Sequence, residues 1–84
     1  MGMYRKKPIV IEAIQFTDNF DEIEEFVGGS ISPNHGSALL MIATLEGIMH
    51  VSPNDWVIKG VQGEFYPCKP DIFTATYEAV ESDG

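Results

Sequence analysis

The chain has 84 residues, 44% of them hydrophobic and 21% charged, with 13 acidic side chains against 5 basic ones and a formal net charge of −8. That length suits a single domain over residues 1–84 with a modest core, and no apolar run approaches the roughly 18 residues of a membrane helix. So negative a chain is not expected to bind duplex nucleic acid through its phosphates, and its lone Cys68 with His35 and His50 offers neither an internal disulfide nor zinc-spaced ligands. No metal and no cofactor are expected.

The opening "MGMYRKKPIVIEAIQF" sets basic residues before apolar ones, as a signal peptide does. Glu12 and Gln15 interrupt the apolar part and no small-residue cleavage site follows, so a cytoplasmic location is expected. The β-branched "KPIVIEAIQF" predicts a strand that begins at Pro8, is apolar on both faces and lies near the sheet centre. Asn19 followed by Glu22 predicts a helix start; Phe20, Ile23, Phe26 and Val27 share one face, and Gly28 and Gly29 stop it. Asp18, Asp21, Glu22, Glu24 and Glu25 make this helix acidic, which ordinarily means a solvated surface. "GSISPNHGS" then has the composition of a mobile loop.

"ALLMIATLEGIMHVS" predicts a hairpin with Gly47 in a three-residue turn, Thr44 opposite Ile48 and Ile42 opposite His50, so that Leu39, Met41, Met49 and Val51 share a face. After "SPND", where Asn54 tolerates positive φ, a second hairpin turns through Gly60–Gly63. Its register sets Lys59 opposite Glu64 and Val57 opposite Tyr66, with Trp56, Ile58, Phe65 and Pro67 on the core face. Pro70 and Asp71 suit the first turn of a short helix, "PDIFTAT", with Phe73 and Tyr77 on its inner side before "YEAV" runs extended. The sum is an α+β fold: a small, twisted, mainly antiparallel sheet of about five strands, barrel-like, with one amphipathic acidic helix and one short helix. Its expected core is Ile9, Ile11, Ile23, Phe26, Leu39, Met41, Val51, Trp56, Ile58, Phe65 and Phe73.

Chemistry-bearing patterns are sparse. Cys68 with either histidine has no flanking motif of a catalytic dyad, and Glu12 is a carboxylate among apolar neighbours that more often meets a Lys or a backbone donor. The glycines of "GVQG" lack the phosphate-loop pattern and suit a hairpin turn. No catalytic residues are assigned, and an enzyme is not expected. Arg5, Lys6, Lys59, Tyr66 and Lys69 are the candidate ligand-binding set, in which cations, a phenol and free amides at the second helix start would hold a small anion. The plainer alternative pairs Lys59 with Glu64 across the strands and leaves Tyr66 as cover for the sheet.

"YRKKPIVIEAIQF", "TLEGIMHVSPNDW" and "IKGVQGEFYPCKPDIFTATYE" together resemble the pattern of short proteins encoded by tailed phages and prophages, with "GEFYPCKPDIF" the most specific part. The resemblance covers most of the chain outside residues 28–38; Asn54 stands where Gly is common, and Phe16 where Trp is common. It implies a phage accessory protein made in the bacterial host cytoplasm and supplies no catalytic residues. The expected function is binding without turnover, as a counter-defence protein that sequesters a small anionic, nucleotide-derived signal. The alternative is an acidic inhibitor of a host nucleic-acid-binding or defence protein. A homo-oligomer is expected, since Met1, Met3, Tyr4, Met49 and two edge strands leave surface to hide.

Overall fold

The computed structural model describes residues 1–5, 7–28, 31–34 and 39–80, with only the backbone for 31–34 and Leu39. The elements are β1 (Glu12–Gln15), α1 (Phe20–Val27), β2 (Ile31–Asn34), β3 (Leu39–Thr44), β4 (Gly47–Val51), β5 (Trp56–Lys59), β6 (Phe65–Cys68) and α2 (Pro70–Thr76). The fold is α+β and every strand pairing is antiparallel. In place of a single sheet of about five strands, the described residues form six strands in two three-stranded sheets, ordered β1-β5-β6 and β2-β3-β4. No ladder joins the sheets among the described residues, so no barrel closes.

The first strand is shorter and more peripheral than expected. Glu12 pairs with Lys59, the last residue of β5, and the chain then turns at Gly60, so residues before Glu12 have no neighbour to pair with. β1 is therefore an edge strand, not a central one. Its far end is fastened to the "SPND" turn: the Phe16 amide donates to the Asp55 carbonyl at 2.8 Å, and the Asn54 amide to the Phe16 carbonyl at 2.7 Å. Asn54 takes φ 75°, the conformation its sequence position called for. Helix α1 follows, ending at Gly28 with φ 74° as expected. Asn19 does not cap it through its side chain; its Oδ1 accepts from the Thr17 amide at 2.7 Å and its Nδ2 donates to the Gln15 carbonyl at 3.1 Å. Part of the expected loop is strand instead. Ile31–Asn34 form β2, with Pro33 opposite Leu40 on an edge where its missing N–H is tolerated, while residues 29–30 and 35–38 lie outside the described residues.

Both hairpins sit one residue out of the expected register. In β3–β4, Thr44 pairs with Gly47, leaving Leu45 and Glu46 as a two-residue connection. The Thr44 hydroxyl tightens it, donating to the Gly47 carbonyl at 2.7 Å and accepting from the Glu46 amide at 3.1 Å. Because side chains alternate, this slip turns the strand over: Leu40, Ile42 and Val51 are buried, and Met41 is only half-buried. In β5–β6, Lys59 pairs with Phe65 and Ile58 with Tyr66, so the turn runs from Gly60 to Glu64. Glu64 closes it. Its carbonyl accepts from the Gly60 amide at 2.7 Å and its carboxylate from the Gln62 amide at 3.1 Å, so it is not the cross-strand partner of Lys59.

The core packs Phe16, Ile23, Val27, Leu40, Ile42, Val51 and Val57 together, with Ile14, Phe20, Phe26 and Phe65 against them. Each fully buried side chain of this kind contributes about 1.5–3 kcal/mol relative to exposure. Of the expected core, Ile23, Val51 and Ile58 are buried; Phe26, Phe65, Trp56, Phe73 and Ile11 are half-buried; and Ile9 is exposed. On β5, Val57 and Ile58 are both buried although they point to opposite faces. The middle strand of this sheet is thus covered on both sides, by the core on the Val57 side and by α2 on the side of Trp56 and Ile58, where Trp56 stacks on Phe73.

Candidate functional site

The ladder β1-β5-β6 determines where each candidate side chain falls. Trp56, Ile58, Tyr66 and Cys68 point to the α2 face, together with Ala13 and Gln15, while Lys59 shares the opposite face with Val57. Lys69 follows β6 at the start of α2, beyond the Trp56–Cys68 pair. Lys59 and Lys69 therefore lie at opposite ends of β5, about 13 Å apart along the strand at ~3.3 Å per residue. The structure does not bring Lys59, Tyr66 and Lys69 into one site. Arg5 is exposed in the leading segment, and Lys6 lies outside the described residues.

Lys69 has a different employment. Its Nζ stands 3.3 Å from Asp55 Oδ2, a carboxylate whose side chain is 5% exposed while that of Lys69 is 60% exposed. The same Oδ2 accepts from the Ser52 amide at 2.9 Å. This is the one ion pair among the described residues. Tyr66 faces Tyr77; burial pushes its phenol from 10.0 up to about 12, and the Tyr77 hydroxyl adds to the rise. Burial likewise raises the Cys68 thiol, with Asp55 and Asp71 adding to it, and its Sγ sits 3.6 Å from the Lys69 carbonyl. A thiol held protonated is a poor nucleophile. His50 stands on β4 in the other sheet, opposite Met41 and exposed, and His35 lies outside the described residues. Glu12 is exposed, not enclosed by its apolar neighbours.

Most of "GEFYPCKPDIF" is accounted for by architecture. Gly63 takes φ 81° in the turn, Glu64 closes that turn and Phe65 packs edge-on against Phe26 at 5.5 Å. Lys69 meets Asp55, Pro70 opens α2 and Phe73 stacks on Trp56.

What the fold does assemble is an aromatic groove. Trp56 and Phe73 stack with ring centroids 4.0 Å apart and planes 6° apart, and Tyr77 follows Phe73 at 5.1 Å. These rings floor a groove of about 350 Å³, walled by Ile9–Ile11 and Ala13 on one side and Glu78–Val80 on the other. Glu78 is the only charged residue lining it among the described residues. The i,i+4 spacing of Phe73 and Tyr77 was legible in the sequence, but the opposite wall depends on β1 pairing with β5, which no local signal announces. A second cleft of about 370 Å³ lies between the two hairpin ends, lined by Leu45, Met49, Phe65 and Pro67 with Glu46 and Glu64. Elsewhere, α1 exposes Asp21, Glu22, Glu24 and Glu25 while burying Ile23 and Val27. Among the described residues no group of three His, Cys, Asp or Glu is placed to hold a metal ion, and no helix is long and apolar enough to cross a membrane. Comparison of the chain with protein-family models, with curated proteins and with solved structures gives no match.

Proposed function

We propose that the protein acts by binding without turnover, as a phage accessory protein that sequesters a small anionic, nucleotide-derived molecule in the groove beside Trp56, Phe73 and Tyr77. The observation that carries this reading is the groove itself, about 350 Å³ with an aromatic floor and apolar walls. Spaces of ~300–1,000 Å³ with a few convergent polar groups are the usual form of small-molecule sites. A base stacked on an aromatic ring contributes about 1–3 kcal/mol. The Glu78 carboxylate accepts from an exocyclic amino group of the base, and the phosphates require cations. Arg5, Lys6 and Lys7 lie nearest in sequence to the Ile9 wall, whereas Lys59 is at the far end of β5 and Lys69 is engaged by Asp55. Sequestering a host signal in the bacterial cytoplasm needs no reactive group.

The test is a thermal-stability screen against linear and cyclic nucleotides and cyclic NAD-derived molecules, followed by release of the ligand on heating. A raised melting temperature with the ligand recovered intact is expected; an altered ligand identifies an enzyme. The exposed carboxylates of α1 favour one second reading, an acidic inhibitor of a basic host nucleic-acid-binding or defence protein. No stabilisation by any nucleotide, together with displacement of DNA from such a protein that Glu24→Lys with Glu25→Lys abolishes, selects that reading.

A further inference from the structure

Among the described residues the groove has no cation in its lining, although the reading above places an anion in it. Three basic residues, Arg5, Lys6 and Lys7, precede one of its walls, in a leading segment with unusual apolar exposure. Ile9 and Val10 are 47% and 76% exposed, and residues 7–11 make no backbone hydrogen bond within the described chain. They lead directly into β1, the edge strand of its sheet. An apolar, β-branched edge with unpaired amides and carbonyls is a template for another strand.

The direction of that edge follows from one hydrogen bond. Phe16 donates its amide to Asp55, the residue preceding β5, so even-numbered residues of this strand turn their backbone groups inward and odd-numbered ones outward. With this alternation carried back through the leading segment, Ile9, Ile11 and Ala13 offer amide and carbonyl at the open edge. Pro8, which has no amide to offer, belongs to the inward set and costs the open edge nothing.

We propose that a second copy of this chain pairs antiparallel with the outer edge of β1 and that its Arg5 and Lys7 complete the groove as the cations for the ligand. A two-fold axis requires one residue to face its own copy, and centring on Val10 runs residues 5–15 of one chain against the same residues of the other, covering all of β1. Ile9 then pairs with Ile11, Lys7 with Ala13 and Arg5 with Gln15. Paired residues point to the same face, and Ala13 lies on the groove face. Lys7 and Arg5 of each copy therefore arrive at the groove of the other, beside Glu78, its one charge among the described residues. Charge favours the arrangement, because on a chain of net charge −8 these are basic residues carried to an uncompensated carboxylate. The inference about the cations rests on the groove being the binding site; the strand pairing does not.

Sedimentation of the full chain at micromolar concentration reads the pairing directly, with twice the 9.3 kDa monomer mass expected. In a Cys68→Ser background, mild oxidation should cross-link Val10→Cys fully, with Ile9→Cys and Ile11→Cys at least tenfold slower because neither faces its own copy. A single 9.3 kDa species at all concentrations, or cross-linking that favours another position, overturns the pairing. For the cations, Arg5→Ala with Lys7→Ala is mixed with the groove-filling Ala13→Trp. Stabilisation by a nucleotide that binds wild type should be lost in each alone and return in the equimolar mixture, at about a quarter of the wild-type stoichiometry, because half of the dimers are mixed and each of these has one complete site. No return in a mixture shown to be dimeric overturns the cation sharing. If no nucleotide binds wild type, the groove reading fails and the cation sharing with it, while mass and cross-linking still decide the dimer.

Discussion

Asp55 is 3% exposed and accepts from the Ser52 amide, with the Lys69 ammonium beside it. A buried carboxylate stripped of partners is expensive, whereas an exposed lysine is partly screened by water, so the two residues should not be equivalent. Asp55→Ala should cost about 2 kcal/mol through the orphaned Ser52 amide and a loosened turn, and Lys69→Met less than about 1 kcal/mol. Urea unfolding measures both, and equal losses would contradict the geometry. Tyr66 makes a pH prediction. Its neutral phenol is favoured in the fold, with a pKa of about 12 against an ordinary 10.0, so its contribution is fully present below pH 10 and is lost as pH rises toward 12. Wild-type melting temperature should fall through that window more steeply than that of Tyr66→Phe.

The helix α2 has no fully buried residue of its own, and the aromatic chain from Trp56 through Phe73 to Tyr77 ties it to the sheet. Trp56→Ala should therefore undock α2 and cost about 3 kcal/mol, the low end for a truncated core aromatic because Trp56 is only half-buried. A loss below about 1 kcal/mol by urea titration would mean that α2 is held by something else. The hairpins carry the clearest lesson about register. Gly47 and the Gly60–Gly63 stretch mark the turns in the sequence, but the turn lengths follow from the Thr44 hydroxyl and from Glu64 folding back on Gly60. Each adds or removes one residue, which exchanges the buried and exposed sets of the strand. For that reason Leu40 and Ile42 are in the core, and Met41 is only half-buried.

At the scale of the whole molecule, the basic residues are spread over both ends of β5 and the leading segment, within an acidic chain. A single copy does not gather them. A continuous sheet across two copies, β6-β5-β1 against β1-β5-β6, gathers Arg5 and Lys7 at an aromatic groove without disturbing Lys69, whose charge belongs to Asp55. The acidic faces of α1 remain available in that arrangement only if they lie clear of the second copy, so a dimer that still displaces DNA from a basic protein would place them outside the interface.

The sequence by itself determined the helix α1 from its apolar face to Gly28, the positive φ of Asn54, the start of α2 at Pro70 and the antiparallel α+β class. Each depends on side chains acting on backbone within one or two turns of chain. Tertiary structure alone decided the division into two sheets, the edge position of β1, the strand registers and the partner of Lys69. The sheets, the edge position of β1 and the partner of Lys69 depend on residues far apart in sequence competing for the same burial and the same hydrogen bonds, and the registers on turn contacts of Thr44 and Glu64 that act together with that burial. A composition that allows two registers equally is settled only when the other layers of the fold close over one of them.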